Sequence, residues 1–289
     1  MPVIIGTSGY DYPEWVGEEL FYPPSLHKRR GDWLTYYASQ FPAIELNFTY
    51  YGATNPRQVE GMLKRTEPDR RLSLMEGDFS PRPDFLFIIK AYATLTHNIT
   101  PEWRDDMAHF RSDIQPLIDS GRLAGVLAQF PSRFRMTSQT ATYCVRLAEE
   151  IAPVRLIVEP RRSEWFTANV RNALAGHGVV LAGVDAPEES HMPRALDHGN
   201  TEGAGAFASL PVNYVRMHGR REGSWWSGDA ASRYEYRYSN SQLDRFARQL
   251  QASPSDAETF VMFNNHRHAD AALNAKQLRK LLDRELTGV

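Results

Sequence analysis

The chain has 289 residues, 42% of them hydrophobic, and a formal net charge of −2 at neutral pH. A chain of this length can bury a substantial core, and we expect one domain over residues 1–289. The small net charge excludes a global field that would draw the protein to nucleic acid or to an acidic membrane. A local basic groove for nucleic acid stays open at this point.

Nothing in the sequence predicts export or membrane insertion. No apolar run approaches the roughly 20 residues that cross a bilayer, and no secretory signal pattern opens the chain. The single cysteine, Cys144, lies at helical spacing with Ala141, Val145 and Ala148, which is typical of a buried apolar position rather than of a nucleophile. We therefore expect a cytoplasmic protein with no membrane partner.

Short apolar runs follow one another along the chain, and nearly every one ends in a polar or charged side chain. They are rich in Val, Ile and Leu and do not alternate strictly, which is typical of strands buried on both faces. The eight runs end, in chain order, at Ser8, Asn47, Lys90, Gln129, Glu159, Asp185, His218 and Asn265. Helix-like segments separate most of them, which predicts an α/β fold, a closed (β/α)8 TIM barrel. The active site of such a barrel lies at the carboxyl ends of its strands, where these side chains would gather.

Helix signals fill most of the intervals between these runs. The second helix is predicted to begin at Asn55 and Pro56, because Asn is a preferred cap and Pro is tolerated in the first turn. The segment 70–84 that follows this helix is predicted to be a loop. Residues 186–211 are rich in Pro, His, Gly and Ala, so we expect a shortened or irregular sixth helix there. The other helices are predicted near 32–41, 102–120, 138–151, 163–178, 239–252 and 270–286.

Carboxylates are placed to act at the barrel rim. Glu159 and Asp185 end apolar strands, and Glu45 lies inside its strand, two residues before Asn47. A buried charge is costly unless it is paired, so each needs a cation, a proton or a metal. Structural pairing, for instance of Glu159 with Arg161, is the alternative for any one of them. Three carboxylates at one rim favour a catalytic role for at least one.

Lys90 and His97 follow the third apolar run. Lys90 ends FLFIIK and could hold an anionic substrate, balance a carboxylate or form a Schiff base; charge balance is the commonest of these roles and imine chemistry the rarest. His97 lies on the next loop and is a candidate general acid or base, with simple hydrogen bonding as the alternative. Gln129, at the end of the fourth run, is a candidate positioning group.

The densest polar segment follows the seventh strand and reads YVRMHGRREGSWWSGDAASRYEYRYS. Arg216 and His218 share one face of the strand because side chains alternate. Guanidinium groups suit carboxylates or phosphates, and aromatic rings suit sugars or bases, so Arg220, Trp226 and Tyr236 are predicted to bind substrate. A solvated charged loop would explain the arginines but not so many rings. We expect a long aromatic loop here.

A metal site has weaker support. His266, Arg267 and His268, followed by Asp270, resemble ligand spacing, but the chain has no HExxH and no paired CxxC pattern. The metal and any other cofactor stay unassigned. Further donors at the rim would come from Glu45, Glu159, Asp185 and His218.

Motifs along nearly the whole chain resemble one family. In chain order they are GTSGYDYPEW, FYPP, YYASQFPAIELNFTYYG, FLFIIKAYATLTH, LAQFP, VEPRRSEW, YVRMHGR, YEYRYS and FNNH. This set is similar to that of the YecE-like proteins, a domain of unknown function, and the resemblance implies a TIM barrel. Two features depart from the family pattern: Pro160, which bears on how Arg161 is presented, and a longer loop around 75–78.

The resemblance also implies which polar positions recur. They match here as Glu45, Asn47, Lys90, His97, Gln129, Glu159, Arg161, Asp185, Arg216, His218, Asn264 and Asn265. We take as candidate catalytic residues Glu45, Lys90, His97, Glu159, Asp185 and His218. The candidate substrate-binding residues are Asn47, Gln129, Arg161, Arg216, Arg220, Trp226, Tyr236, Asn264 and Asn265. The resemblance brings no established reaction.

Three functions are compatible with this set. The leading hypothesis is an enzyme, a hydrolase or an isomerase or lyase, that uses acid/base chemistry on a small anionic, sugar-like or nucleotide-derived substrate. The second is a metal-dependent phosphodiesterase or nucleic-acid-processing protein, and the third is a barrel that only binds a ligand. In the leading hypothesis Glu159 or Glu45 is the base and His218 or His97 the acid. Negative charge is held by Lys90, Arg161 and Arg216, under a lid of Trp225, Trp226 and Tyr236.

Overall fold

The structure is a computed structural model that describes residues 2–52, 54–188, 212–223, 225–226, 230–252 and 258–286. Its strands are β1 (Val3–Ser8), β2 (Ala43–Leu46), β3 (Leu72–Leu74), β4 (Gly77–Phe79), β5 (Leu86–Lys90), β6 (Leu123–Gln129), β7 (Leu156–Glu159), β8 (Val179–Leu181), β9 (Gly183–Asp185), β10 (Val212–Met217) and β11 (Glu258–Phe263). Its α-helices are α1 (Trp33–Gln40), α2 (Pro56–Arg65), α3 (Trp103–Asp119), α4 (Ser138–Ile151), α5 (Ala168–Ala175), α6 (Ala230–Arg233), α7 (Asn240–Gln251) and α8 (Asp270–Leu286).

The parallel strands form one sheet in the order β8-β7-β6-β5-β2-β1-β11-β10-β9. β8 and β9 are two halves of one strand that is interrupted at Ala182. The first half pairs with β7 and the second half with β10, so the two ends of the sheet meet. The predicted (β/α)8 barrel is therefore confirmed, and the eight predicted runs supply its strands.

The register of the strands brings their polar ends to one rim. Ser8 on β1 lies opposite Glu45 on β2, and Gln129 on β6 lies opposite Glu159 on β7. Asp185 on β9 lies opposite Met217, the last residue of β10. The carboxyl ends of parallel strands point the same way, so this rim collects the polar side chains that the sequence places there.

Two apolar layers hold the barrel together. The inner layer fills the barrel below the rim and consists of Ala43, Ile88, Leu127, Ile157, Val180, Ala182, Tyr214, Phe260 and Met262. The larger outer layer packs the sheet against the helices and includes Cys144, whose burial raises its thiol pKa to about 12. Gly6 is required where β1 approaches β2, because a Cβ atom there would lie 2.2 Å from the Ala43 carbonyl oxygen.

Most predicted helices begin and end within a few residues of their predicted bounds. Asn55 caps α2, and its side chain accepts a hydrogen bond from the Gln58 backbone N–H at 3.0 Å. The helix predicted over 163–178 is shorter than expected: a 3₁₀ turn covers Ser163–Phe166, and the extended backbone of Thr167 separates it from α5. None of the described helices has the length and apolar character that a bilayer crossing requires.

Two of the predicted loops contain secondary structure. The prediction of a loop over 70–84 is wrong in part, because β3 and β4 form a short antiparallel hairpin there. The sixth helix expected within 186–211 falls almost wholly outside the described residues. The aromatic segment after β10 is described except at 224 and 227–229, and it contains the single-turn helix α6.

Candidate active site at the carboxyl ends of the strands

Arg216 crosses the top of the barrel interior and joins two carboxylates. Its Nε and Nη2 donate to the two oxygens of Glu45 at 2.9 and 2.6 Å, and its Nη1 donates to Glu159 at 2.5 Å. Tyr214, two residues earlier and therefore on the same strand face, donates to Glu45 at 2.6 Å. All four side chains are buried. Burial alone would raise the pKa of Glu45, but the Arg216 charge and hydrogen bonds outweigh it and lower that pKa.

Glu159 is the meeting point of a second set of contacts. Gln129 donates from Nε2 to Glu159 at 2.6 Å and accepts from Lys90 Nζ at 2.6 Å, so the three side chains form a chain across β5, β6 and β7. Arg161 Nε lies 3.1 Å from the same carboxylate. Burial opposes ionisation of Glu159, but the positive charges of Arg216 and Arg161 outweigh it and hold the pKa of Glu159 well below its ordinary value. Glu159 is therefore a fixed negative charge.

His218 lies directly above this carboxylate and is fully buried. Asn264 Nδ2 donates to its Nδ1 at 2.9 Å, which leaves the ring proton on Nε2. Nε2 lies 3.5 Å from Glu159 and makes no hydrogen bond within the described part of the chain, so that contact is electrostatic. Burial lowers the pKa of His218 to about 4 despite the opposing charge of Glu159. The imidazole is neutral at pH 7.

Lys90 and His97 lie together at the ends of β2 and β5. Lys90 Nζ lies 4.1 Å from the centre of the Tyr50 ring, and the His97 ring meets Tyr50 edge-on at 5.0 Å. Burial, followed by the charge of Arg216, lowers the pKa of Lys90 to about 8. Burial and then the positive charge of Lys90 lower the pKa of His97 to about 4. Lys90 is mostly a cation at pH 7, and His97 is neutral.

Asp185 is placed differently from the other two carboxylates. Arg220 donates to it from Nε at 2.8 Å and from Nη2 at 2.5 Å, and the Tyr238 hydroxyl donates at 2.8 Å. The same hydroxyl accepts from the Gly219 backbone N–H at 2.9 Å. Asp185 and Arg220, predicted as catalytic and substrate-binding residues, thus pair with each other and fasten the loop after β10.

The other predicted binding residues divide into two groups. Asn265 and Tyr236 are joined to the scaffold, since Asn265 Nδ2 donates to the Tyr236 carbonyl at 2.8 Å and Gln242 donates to the Tyr236 hydroxyl at 2.7 Å. Asn47 follows β2, and its buried Oδ1 has no hydrogen-bond partner among the described residues. Trp226 is 57% exposed. None of these four residues forms a hydrogen bond with Glu159 among the described residues.

Several aromatic side chains complete the site. Trp225, named above only as part of a lid, is buried, with the Arg161 guanidinium carbon 5.2 Å and the His218 ring 5.8 Å from its ring. Tyr214 and Tyr50 were not predicted as site residues. The two-residue spacing from Arg216 could have identified Tyr214, whereas Tyr50 is brought to Lys90 only by the fold.

The spacing that suggested a metal site does not assemble one. His266 stacks on the Tyr12 ring at 4.8 Å, while the side chain of His268 is 69% exposed. In the part of the chain that the structure describes, no three His, Cys, Asp or Glu side chains are grouped to hold a metal ion.

The fold and this rim define the chain as a (β/α)8 barrel with a buried ionic network at the carboxyl ends of its strands, the end at which barrel enzymes act. It belongs to the family described as a protein of unknown function, DUF72, whose model matches residues 4–289. The resemblance to a domain of unknown function is confirmed at this level.

Relatives and solved structures agree with this assignment. The UPF0759 protein YunF of Bacillus subtilis (strain 168) is 27% identical over 307 residues, which cover 99% of this chain and 97% of YunF. A DUF72 family protein of Thermotoga maritima MSB8 is 30% identical with a TM-score of 0.78, covering 98% of this chain and 100% of that one. A xylose isomerase domain containing protein of Salmonella typhimurium LT2 is 13% identical with a TM-score of 0.51, over 86% of this chain and 88% of that one, and is similar in fold alone.

Proposed function

We propose that the protein is an enzyme that uses acid/base chemistry on a small anionic, sugar-like or nucleotide-derived substrate at this rim. The observation that carries the proposal is the pair formed by Glu159 and His218. His218 Nε2 lies 3.5 Å from the Glu159 carboxylate and has no hydrogen-bond partner among the described residues. Catalytic sites of barrel enzymes typically contain buried titratable groups with shifted pKa values at the carboxyl ends of the strands.

In this proposal His218, rather than Glu159, exchanges the proton. A carboxylate whose pKa lies well below its ordinary value binds a proton weakly, so Glu159 is a poor base. Because Nδ1 accepts from Asn264, the neutral His218 ring carries its proton on Nε2 and acts as the general acid, donating from Nε2 to the substrate. Asn264 fixes the orientation of the ring through its 2.9 Å hydrogen bond. Glu45 serves to neutralise Arg216.

We further propose that the chain is one of the YecE-like proteins within its family, on the motifs given above. We also place it in the cytoplasm. The support for that location is a single cysteine, Cys144, which is free and buried, as is common in a reducing compartment.

The test is a search for proton transfer that depends on His218. We would incubate the full chain in D₂O with a panel of sugars, sugar phosphates, sugar acids and nucleotides, and follow C–H exchange and product formation by NMR. We expect a substrate for the native protein, and a rate lowered roughly 10²- to 10⁴-fold by His218→Asn. His109→Gln, at a position 70% exposed on α3, is the matched control and should keep the full rate.

The outcomes separate the three functions. Full activity in His218→Asn, with circular dichroism showing the native fold, would remove His218 from the mechanism. A compound that binds but is recovered without exchange from the native protein would favour the ligand-binding barrel. Activity that requires an added divalent cation and acts on phosphodiesters would favour the metal-dependent alternative.

A further inference from the structure

Cations gather around His97 on one side of the barrel rim. Lys90 ends β5, Arg133 lies on the loop after β6, and Arg161 follows β7. Arg133 donates from Nη2 to the His97 carbonyl oxygen, and its charge also acts on the Tyr50 hydroxyl. Three cations that follow three consecutive barrel strands thus lie on one side of the rim: the charges of all three act on His97, and Lys90 also lies over the Tyr50 ring. We refer to Lys90, Arg133 and Arg161 as the cation cluster.

The cation cluster lacks matching negative charge. Neither Lys90 nor Arg133 forms an ion pair with any carboxylate of the described residues, and Lys90 donates to a neutral amide oxygen instead. Arg161 contacts Glu159 through Nε, but that carboxylate is shared with Arg216. Counting Glu45 and Arg216 as well, four cations face two carboxylates. These six side chains thus carry a surplus of about two positive charges, although the whole chain has a net charge of −2.

The charges that act on His97 are also predominantly positive. After burial, the charges that act on its ring are those of Lys90, Arg133 and Arg161, and all three lower its pKa. Solvent exposure increases along the cation cluster. Lys90 is 8% exposed, the Arg161 side chain is 13% exposed, and Arg133 lies on the surface. A ligand could therefore enter past Arg133 and reach Lys90.

We infer that the cation cluster is the subsite for the phosphate group of a phosphomonoester substrate. This inference rests on the proposed function and narrows its substrate class. A phosphate dianion matches the surplus of two charges, and guanidinium forks together with a lysine ammonium are the usual partners of phosphate oxygens. Tyr50 forms the wall beside Lys90. The rest of the substrate would extend from the cluster towards Glu159 and His218.

The experiment is calorimetric titration of the full chain with inorganic phosphate, ribose 5-phosphate and ribose. We expect both phosphates to bind and ribose to bind at least tenfold more weakly than ribose 5-phosphate. Arg161→Met and Arg133→Met should each weaken binding of both phosphates about tenfold, because each removes a charged donor. Arg135→Met is the matched control: Arg135 lies two residues along the same exposed loop, and the substitution should change affinity less than twofold.

Two results would overturn the inference. One is the absence of heat with either phosphate at millimolar concentration. The other is an equal loss of affinity in Arg135→Met and Arg133→Met, which would indicate a diffuse surface field instead of a subsite. Arg133 is exposed, so its variant reports on the subsite even where Arg161→Met fails to fold. Phosphate binding without any turnover would count against the proposed function alone, and turnover of an uncharged sugar without phosphate binding against this inference alone.

Discussion

At the scale of single residues, Arg216 makes a charged barrel interior tolerable. Glu45 and Glu159 are both fully buried, and an isolated carboxylate in such a place would be too costly to keep ionised. Arg216 gives three hydrogen bonds to the pair and is itself only 2% exposed. The negative charge that Arg216 faces is the protein's own, so under the proposal above an anionic substrate would be bound by Lys90, Arg133 and Arg161.

Removing Arg216 should therefore destabilise the protein strongly. We expect Arg216→Met to lower the free energy of unfolding by about 3–5 kcal/mol, because two buried carboxylates lose their shared cation. Urea denaturation followed by circular dichroism measures this change. Arg248→Met is the control, since the Arg248 side chain is 70% exposed beside Asp244 and its loss should cost less than about 1 kcal/mol. Similar costs for the two variants would contradict this reading of the network.

At the scale of elements, several helices begin at a capping residue that can be read from the sequence. Thr137 and Ser239 each accept a hydrogen bond from the third residue of the following helix, as Asn55 does for α2. The β3–β4 hairpin escaped prediction because each strand has only three residues and half of the six positions are exposed, so neither strand leaves an apolar run. Local side-chain chemistry sets helix ends, whereas such short strands depend on their pairing.

The contribution of a helix cap to stability can be tested at the N-terminus of α4. Thr137 Oγ1 accepts from the Thr140 backbone N–H at 3.1 Å, and the Thr140 side chain accepts in return from the Thr137 N–H at 2.9 Å. Thr137→Ala should cost roughly 1 kcal/mol of unfolding free energy. Thr142→Ala, at an exposed position inside the same helix, should be neutral or slightly stabilising, because Ala is the better helix former. Equal effects of the two substitutions in thermal unfolding would show that the cap contributes nothing.

At the scale of the whole molecule, the buried ionisable groups set how stability depends on pH. Burial lowers the pKa of His218 from 6.5 to about 4, so between these values the unfolded chain binds more protons than the folded one. Stability is then lost as pH falls through this window. Glu45 and Glu159, whose pKa values are lowered in the fold, add a further loss at lower pH, when the unfolded chain takes up their protons first.

We therefore expect unfolding free energy to fall steadily from pH 6.5 towards pH 4. His218 alone should contribute up to about 1.4 kcal/mol per pH unit. Urea unfolding at half-unit pH steps measures the slope, and His218→Asn should make it shallower by about one proton. The exposed His109→Gln variant should keep the native slope. An unchanged slope in His218→Asn would show that this imidazole is not held neutral in the fold.

The sequence by itself determined the barrel and the rim at which its polar residues gather. Apolar runs of strand length record burial on both faces, and the polar residue that ends each run marks where the strand leaves the core. The tertiary structure decided which side chains each polar residue contacts. Glu159 and Asp185 both end apolar strands, yet Glu159 meets Arg216, Gln129 and Arg161, whereas Asp185 meets Arg220 and Tyr238. Apart from Arg161, whose pairing with Glu159 the sequence offers as an alternative, those partners come from strands and loops far apart in the chain. Only closure of the barrel sets which of those charges face each other.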